Sequence, residues 1–374
     1  MELHFESSPT SSLGIELELG LVDLDTGALA CRATEVLKHL EEDGVHPKLK
    51  HELYECTIEV ITGVCGTVDE ARRDLIASIN ELRTVTDPAG LGLISMGMHP
   101  FSRWKELTKS PGERYEWIVN RIGWPVHRLT TTGLHVHVGV RSAEKSIAIT
   151  NALGVYLPVF LALSASSPYR QGFDTGLASV RAKIFEALPG SGLPPVLANW
   201  TAFTELMELM INAGSIETVR ELWWDIRPHP GFGTVELRMC DAPSTMWEIA
   251  ALAALAQCLV QHFDDLIDAG DPLPTAHEWV RKENKWRAVR WGTDAELVVD
   301  DTGQTRPLTE VSAELVSTLM PVAKRLGCVD ELASLDRIVT EGPSYQRQRA
   351  IVDAGGNLVD VVERNRLEFL AGLQ

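Results

Sequence analysis

Four short segments of this chain alternate apolar residues with residues that bind metals or anions, and that alternation constrains the fold more than any other feature. Successive side chains of a strand leave opposite faces, so every second residue shares a face. In the run 14–19, Glu16 and Glu18 project one way while Ile15, Leu17 and Leu19 take the other. In 52–62, Glu55 and Glu59 share a face opposite Tyr54, Cys56, Ile58 and Val60, with Glu52 at the start. In 134–139, His135 and His137 point together against the valines, and 235–239 repeats the design with Glu236 and Arg238. One such segment is usually a half-exposed sheet whose charged face meets water. Several glutamates on one face repel strongly unless solvent, arginine or divalent cations offset the charge. Many carboxylates with one or two imidazoles suit Mg²⁺ or Mn²⁺ better than zinc. Such ions bridge carboxylates to phosphates, which makes a nucleoside triphosphate a natural ligand.

The surrounding pattern is α+β. Strand-like runs fall at 13–22, 52–62, 91–98, 133–140 and 234–239, with a hairpin turn at 23–27. Helical periodicity predicts helices at 69–85, 142–164, 178–185, 204–212, 215–224, 245–269, 277–291, 308–326, 329–340 and 345–373. There is no fixed-period repeat, and the Gly/Pro-rich stretch 188–195 reads as a loop, so a single domain over 1–374 is expected. The most apolar runs, 156–165 and 249–260, are shorter than the ~20 residues of a bilayer span and predict core helices. Residues 1–10 lack the basic-then-apolar order of a secretory signal. Six cysteines without a C-x-x-C pair read as reduced packing residues in a cytoplasm. With 34 basic against 52 acidic residues, the charge of −18 disfavours nucleic acid as a partner. No Walker motif and no G-x-G-x-x-G turn is present, so multiple cations on acid-rich strands would have to hold phosphate.

Taken in order, GIELELGL (14–21), HELYECTIEVITG (51–63), TTGLHVHVGV (131–140) and GTVELRMCDAP (233–243) resemble the signatures of the glutamate-cysteine ligase superfamily, and in particular its bacterial carboxylate-amine ligase branch, glutamate-cysteine ligase type 2. GERYEW (112–117), ASSPYRQGFDTGLASVRAKIF (165–185) and ENKWRAVRWG (283–292) extend the resemblance over 13–292, leaving 293–374 as a helical carboxyl-terminal part. The resemblance implies a fold like the glutamine synthetase catalytic domain: a curved, mainly antiparallel sheet forming a funnel, with helices outside. It implies that Glu16, Glu18, Glu52, Glu59, His135 and Glu236 hold divalent ions between ATP and an amino acid, with Glu55 and His137 varying among branches. It implies that Arg238 contacts the transferring phosphate; Arg238 and Glu59 are the expected catalytic residues. Arg114 and Arg181, then Asn284, Arg287 and Arg290, are the expected nucleotide contacts. The implied reaction joins the carboxylate of glutamate or a similar acid to an amine such as cysteine's, with ATP and Mg²⁺ (or Mn²⁺), through an acyl-phosphate, in a cytoplasmic homodimer acting on small molecules, away from membranes.

A competing reading uses His135 and His137 with a distant glutamate as one transition-metal site for ATP-independent hydrolysis or oxygen chemistry. A cupin-like barrel expects that glutamate a few residues after the histidines, whereas Glu144 lies beyond the turn-like 139–142 at the start of a helix.

Overall fold

A computed structural model of the chain describes residues 3–40 and 46–373. Met1 and Glu2, part of the stretch read for a secretory signal, lie outside them. The strands are β1 (Leu13–Asp23), β2 (Leu49–His51), β3 (Thr57–Ile61), β4 (Leu91–Ile94), β5 (Gly133–Gly139), the small hairpin β6–β7 (Tyr169–Arg170, Phe173–Asp174), β8 (Ile226–His229), β9 (Thr234–Asp241) and the pair β10–β11 (Glu296–Val298, Thr305–Pro307). The main sheet runs β2-β3-β1-β5-β9-β8, with β4 paired to the far end of β1. Every pairing in it is antiparallel.

The helices are α1 (Ala33–Lys38), α2 (Val68–Thr86), α3 (Glu113–Ile122), α4 (Ala143–Ser164), α5 (Val180–Phe185), α6 (Trp200–Asn212), α7 (Met246–Ala269), α8 (Glu278–Trp291), α9 (Leu308–Leu326), α10 (Val329–Glu341), α11 (Ser344–Asp353) and α12 (Leu358–Ala371). Helices α2, α4 and α7 pack on the apolar sheet face, and α9 and α10 pack on α7. Ile15, Leu17 and Leu19 of β1, Ile58 and Val60 of β3, and Leu134, Val136 and Val138 of β5 sit in that core with Val235 and Leu237 of β9. Burying a side chain of this kind stabilises by roughly 1.5–3 kcal/mol, so the alternation is held in register from its apolar side. A slip of one residue would send the glutamates into the core.

The fold matches the expected class, a mainly antiparallel sheet with helices on one face. Helix starts follow their caps: Thr67 and Glu70 form a reciprocal capping box, and the Ser142 and Thr245 side chains accept from backbone amides three residues on. Helices α4 and α7, at 22 and 24 residues, are longer than the apolar runs within them and by composition are apolar enough to cross a bilayer. Their most apolar windows are 78% and 83% buried inside the protein, so they are central core helices.

Three expectations are corrected. The segment 52–62 is a strand only from Thr57 onward, because Thr57 N donates to Tyr54 O in a turn that breaks the alternation. The segment 215–224 holds only the 3-10 turn Val219–Glu221. There the carbonyls of Val219, Arg220 and Leu222 accept from Arg227 Nη1 instead of building a helical ladder. The helix expected over 345–373 is two, parted at Gly355 (φ +92°) and Gly356, with Asn357 capping the second.

Candidate active site

Pairing across the sheet sets the site. Glu16 lies opposite His135, Glu18 opposite Glu59, and Glu236 opposite both His137 and Arg227. Between Leu134 and Val136 the β5–β9 register shifts, β9 placing two residues, Arg238 and Met239, where β5 has His135 alone, so a bulge falls at Arg238. The polar face thus carries Glu16, Glu18, Glu59, His135, His137, Arg227, His229, Glu236 and Arg238. All of them line one cavity of about 500 Å³, together with Glu52, Arg114, Tyr115, Arg220, Trp223 and Phe232. That is the size of a small-molecule pocket.

Three overlapping sets of donors could each hold a cation: Glu16, His137 and Glu236; Glu16, Glu59 and His135; Glu18, Glu52 and Glu59. Within each set the ligand atoms lie within 4.8 Å of one another. His135 Nδ1 is 3.1 Å from Glu16 Oε2, and His137 Nε2 is 3.3 Å from Glu16 Oε1 and 3.7 Å from Glu236 Oε1. The Nε2 atoms of both histidines are buried without a hydrogen-bond partner. Orphaned imidazole nitrogens among carboxylate oxygens are a donor set that fits hard divalent ions. The two histidines belong to different sets, which disfavours the single-ion site of the competing reading.

Electrostatics divides the cavity. Glu236 is fully buried, bonded by Arg227 Nη2 at 2.6 Å and Nε at 2.9 Å, and bonded by Arg238 on its other oxygen. Burial pushes its carboxyl up, but the charges of Arg238 and Arg227 outweigh burial and hold it well below the usual range. Burial also opposes ionisation of Glu16, and the facing imidazoles of His135 and His137 win, holding it low. His135 is pushed down to about 4 by burial and by Arg238, so it is neutral with a lone pair to offer. Burial lowers His137 too, yet Glu236 and Glu16 raise it on balance. At the other end, burial and the charge of Glu52 push Glu18 up to about 8. Glu59 is raised well above its ordinary value by burial and by Glu52, Glu16 and Glu18, and burial raises Glu52.

The other expected residues lie elsewhere. Glu55 turns from the cavity, accepting from Thr34 N at 2.9 Å and Thr34 Oγ1 at 2.5 Å. Arg181, 2% exposed, passes beneath β5, where Gly133 leaves no Cβ in its way, and donates to the carbonyls of Arg238 and Met239. It sets the end of β9 and does not line the cavity. Asn284 donates to Val298 O and accepts from Val298 N, Arg287 bonds Glu283 and Glu296 O, and Arg290 bonds Gly176 O. Arg114 does line the cavity. Sequence reasoning missed Arg227 and His229, although their i, i+2 spacing in 226–229, just before the Glu236 strand, is the same alternation in a shorter run.

The profile of glutamate-cysteine ligase family 2 matches residues 12–364. A Thermobifida fusca protein provisionally named glutamate–cysteine ligase 2 is 47% identical over 375 residues, spanning 100% of this chain and 94% of its own length. A Frankia alni protein provisionally named glutamate–cysteine ligase 2-1 is 49% identical over 367 residues, 97% and 96% of the two chains. Among solved structures, the glutamate–cysteine ligase of Francisella tularensis in complex with AMP superposes with a TM-score of 0.69 at 14% identity, over 98% of this chain and 90% of that one. A bifunctional glutathione synthetase from Pasteurella multocida gives 0.66 at 14% identity, over 96% and 52%. At that identity the solved structures show the shared fold.

Proposed function

The chain belongs to glutamate-cysteine ligase family 2, and from that premise we propose that it is an ATP-dependent ligase joining the side-chain carboxylate of glutamate, or of a similar acid, to an amine such as cysteine's. A carboxylate is a poor acyl donor and must be activated first. In the proposed sequence a carboxylate oxygen attacks the γ-phosphorus of ATP, the bond to the bridging oxygen breaks, and ADP leaves. The amine then attacks the acyl carbon of the acyl-phosphate, phosphate departs with the bonding electrons, and the amine loses a proton.

Mg²⁺ ions, or Mn²⁺, held by Glu16, Glu18, Glu52, Glu59, His135, His137 and Glu236, supply the charge that lets two anions approach. Arg238 is positioned by its bond to Glu236 and by Arg181 beneath it, and it stabilises charge on the transferring group. Neutral His135 presents an unprotonated nitrogen. Buried Arg227 fixes Glu236 and braces the loop that carries Arg220 and Trp223. The observation that carries this reading is the meeting, in one cavity, of three ligand sets drawn from four separate stretches between positions 16 and 236. The AMP bound by the Francisella neighbour lends it support.

A cytoplasmic homodimer belongs to the same proposal; the six free cysteines suit a reducing compartment. The test is ADP release from ATP and Mg²⁺ across a panel of acids and amines. ADP and amide are expected in equal amounts, only with both partners present, and lost on chelation by EDTA. Protein that binds ATP yet forms no ADP with any pair overturns the reading.

A further inference from the structure

Helix α3 differs from every wall of the cavity it helps to line. It has no buried residue, and it rests by Tyr115, Ile118, Val119 and Ile122 on a small satellite cluster around Leu53, Tyr54 and Val126, apart from the main core. It begins after Gly112 at φ +138° and ends at Gly123 at φ +72°. A Cβ at Gly123 would meet nothing within 4 Å, so that glycine serves backbone freedom and not close packing. Among the described residues, two side-chain hydrogen bonds hold the helix down: Tyr115 Oη donates to His51 O at 2.7 Å, and Arg121 donates to Gly214 O. His51 immediately precedes Glu52, so the first of these ties the helix to the end of the cavity that holds Glu18, Glu52 and Glu59.

The cavity's guanidiniums are not equivalent. Arg227 and Arg238 are engaged with Glu236. Among the described residues, the Arg114 and Arg220 side chains make no hydrogen bond or ion pair. Arg220 sits in a turn whose carbonyls Arg227 clamps, whereas Arg114 rides at the first turn of the loosely held α3 and faces Glu52, on which its charge bears.

We propose that α3 is a gate hinged at Gly112 and Gly123, and that its closure on a bound nucleotide brings Arg114 onto the polyphosphate. This rests on the ATP-dependent reading and adds to it a moving element that delivers the expected Arg114 contact. Closure sheds water from the cavity mouth, and the free guanidinium joins Arg238 in meeting the anion.

The test is hydrogen–deuterium exchange on the full chain with Mg²⁺ and the non-hydrolysable analogue β,γ-imido-ATP. Amides of 113–122 are expected to slow at least tenfold together with those of β1 and β3. Arg114→Met should raise the half-saturating analogue concentration roughly tenfold, the equivalent of one charge-assisted hydrogen bond, with Arg114→Lys recovering part of it. Binding of Mn²⁺ alone should not weaken in either variant, since the charge of Arg114 bears on Glu52 and opposes a cation there, and Tyr115→Phe should speed exchange of α3 in the free protein. Protection of β1 and β3 without α3, or wild-type analogue binding by Arg114→Met, overturns the gate and leaves the ligase reading standing. No nucleotide binding anywhere overturns both.

Discussion

The two ends of the cavity solve the same electrostatic problem in opposite ways. At the Glu236 end, every buried carboxylate has a cation or imidazole built in: Arg227 and Arg238 face Glu236, and His135 and His137 face Glu16. At the Glu59 end, Glu18, Glu52 and Glu59 meet, burial pushes all three carboxyls up, and the charge of Glu52 pushes Glu18 and Glu59 further. The first end is finished by the fold. The second is only partly offset by Arg114, Arg181 and Arg238, so positive charge from outside completes it, and the fold tolerates its strain because the apolar residues between the acids anchor the strands. Removing a charge should therefore have opposite consequences at the two ends.

The largest effect is expected from Arg227→Met. It leaves a fully buried carboxylate without the arginine that donates twice to its Oε2 and frees the three carbonyls that Arg227 caps, so unfolding free energy should fall by about 3–5 kcal/mol. Urea titration of the metal-free protein measures it. A loss under about 1 kcal/mol would show that Glu236 does not depend on its built-in cation, and the contrast between the ends would fail.

Glu59→Gln should do the reverse. It removes one acid from a repelling trio, so the urea midpoint of the metal-free protein should hold or rise, while turnover falls at least 100-fold, about 2.7 kcal/mol in the barrier. Parallel urea and ADP-release measurements separate the two. Turnover within threefold of wild type would remove Glu59 from the proposed cation site.

How much of this was legible in the sequence follows from the same physics. β1, β5 and β9 were readable because one face is buried, and burial forces strict alternation. β8 was not, since Pro228 argues against a strand. The structure puts it at the sheet edge, where a missing N–H is tolerated, and so hides Arg227 from pattern reading. Glu55 misled because alternation was extended through a turn, and local sequence does not reveal that Thr34, far away, captures its carboxylate. Arg181 matched a family motif, yet only the packing shows it bracing β9 from beneath. The Gly355-Gly356-Asn357 break between the last helices was readable as a stop and a cap, and periodicity alone passed over it.

The smallest effect is the sharpest test of the acid-rich end, because it turns on protons. Glu18 has a folded value of about 8 against an ordinary 4.5, so between those values the folded chain binds more protons than the unfolded one. Stability of the metal-free protein is therefore lost as pH rises from about 4.5 through 8. A divalent ion replaces those protons, and each proton displaced changes its apparent binding by at most about 1.4 kcal/mol per pH unit. Saturating Mn²⁺ should raise the melting temperature more at pH 8 than at pH 6, and Glu18→Gln should flatten that difference. Equal Mn²⁺ shifts at the two pH values would mean that the acids are already ionised and paired, and that this end, like the other, is complete without a metal.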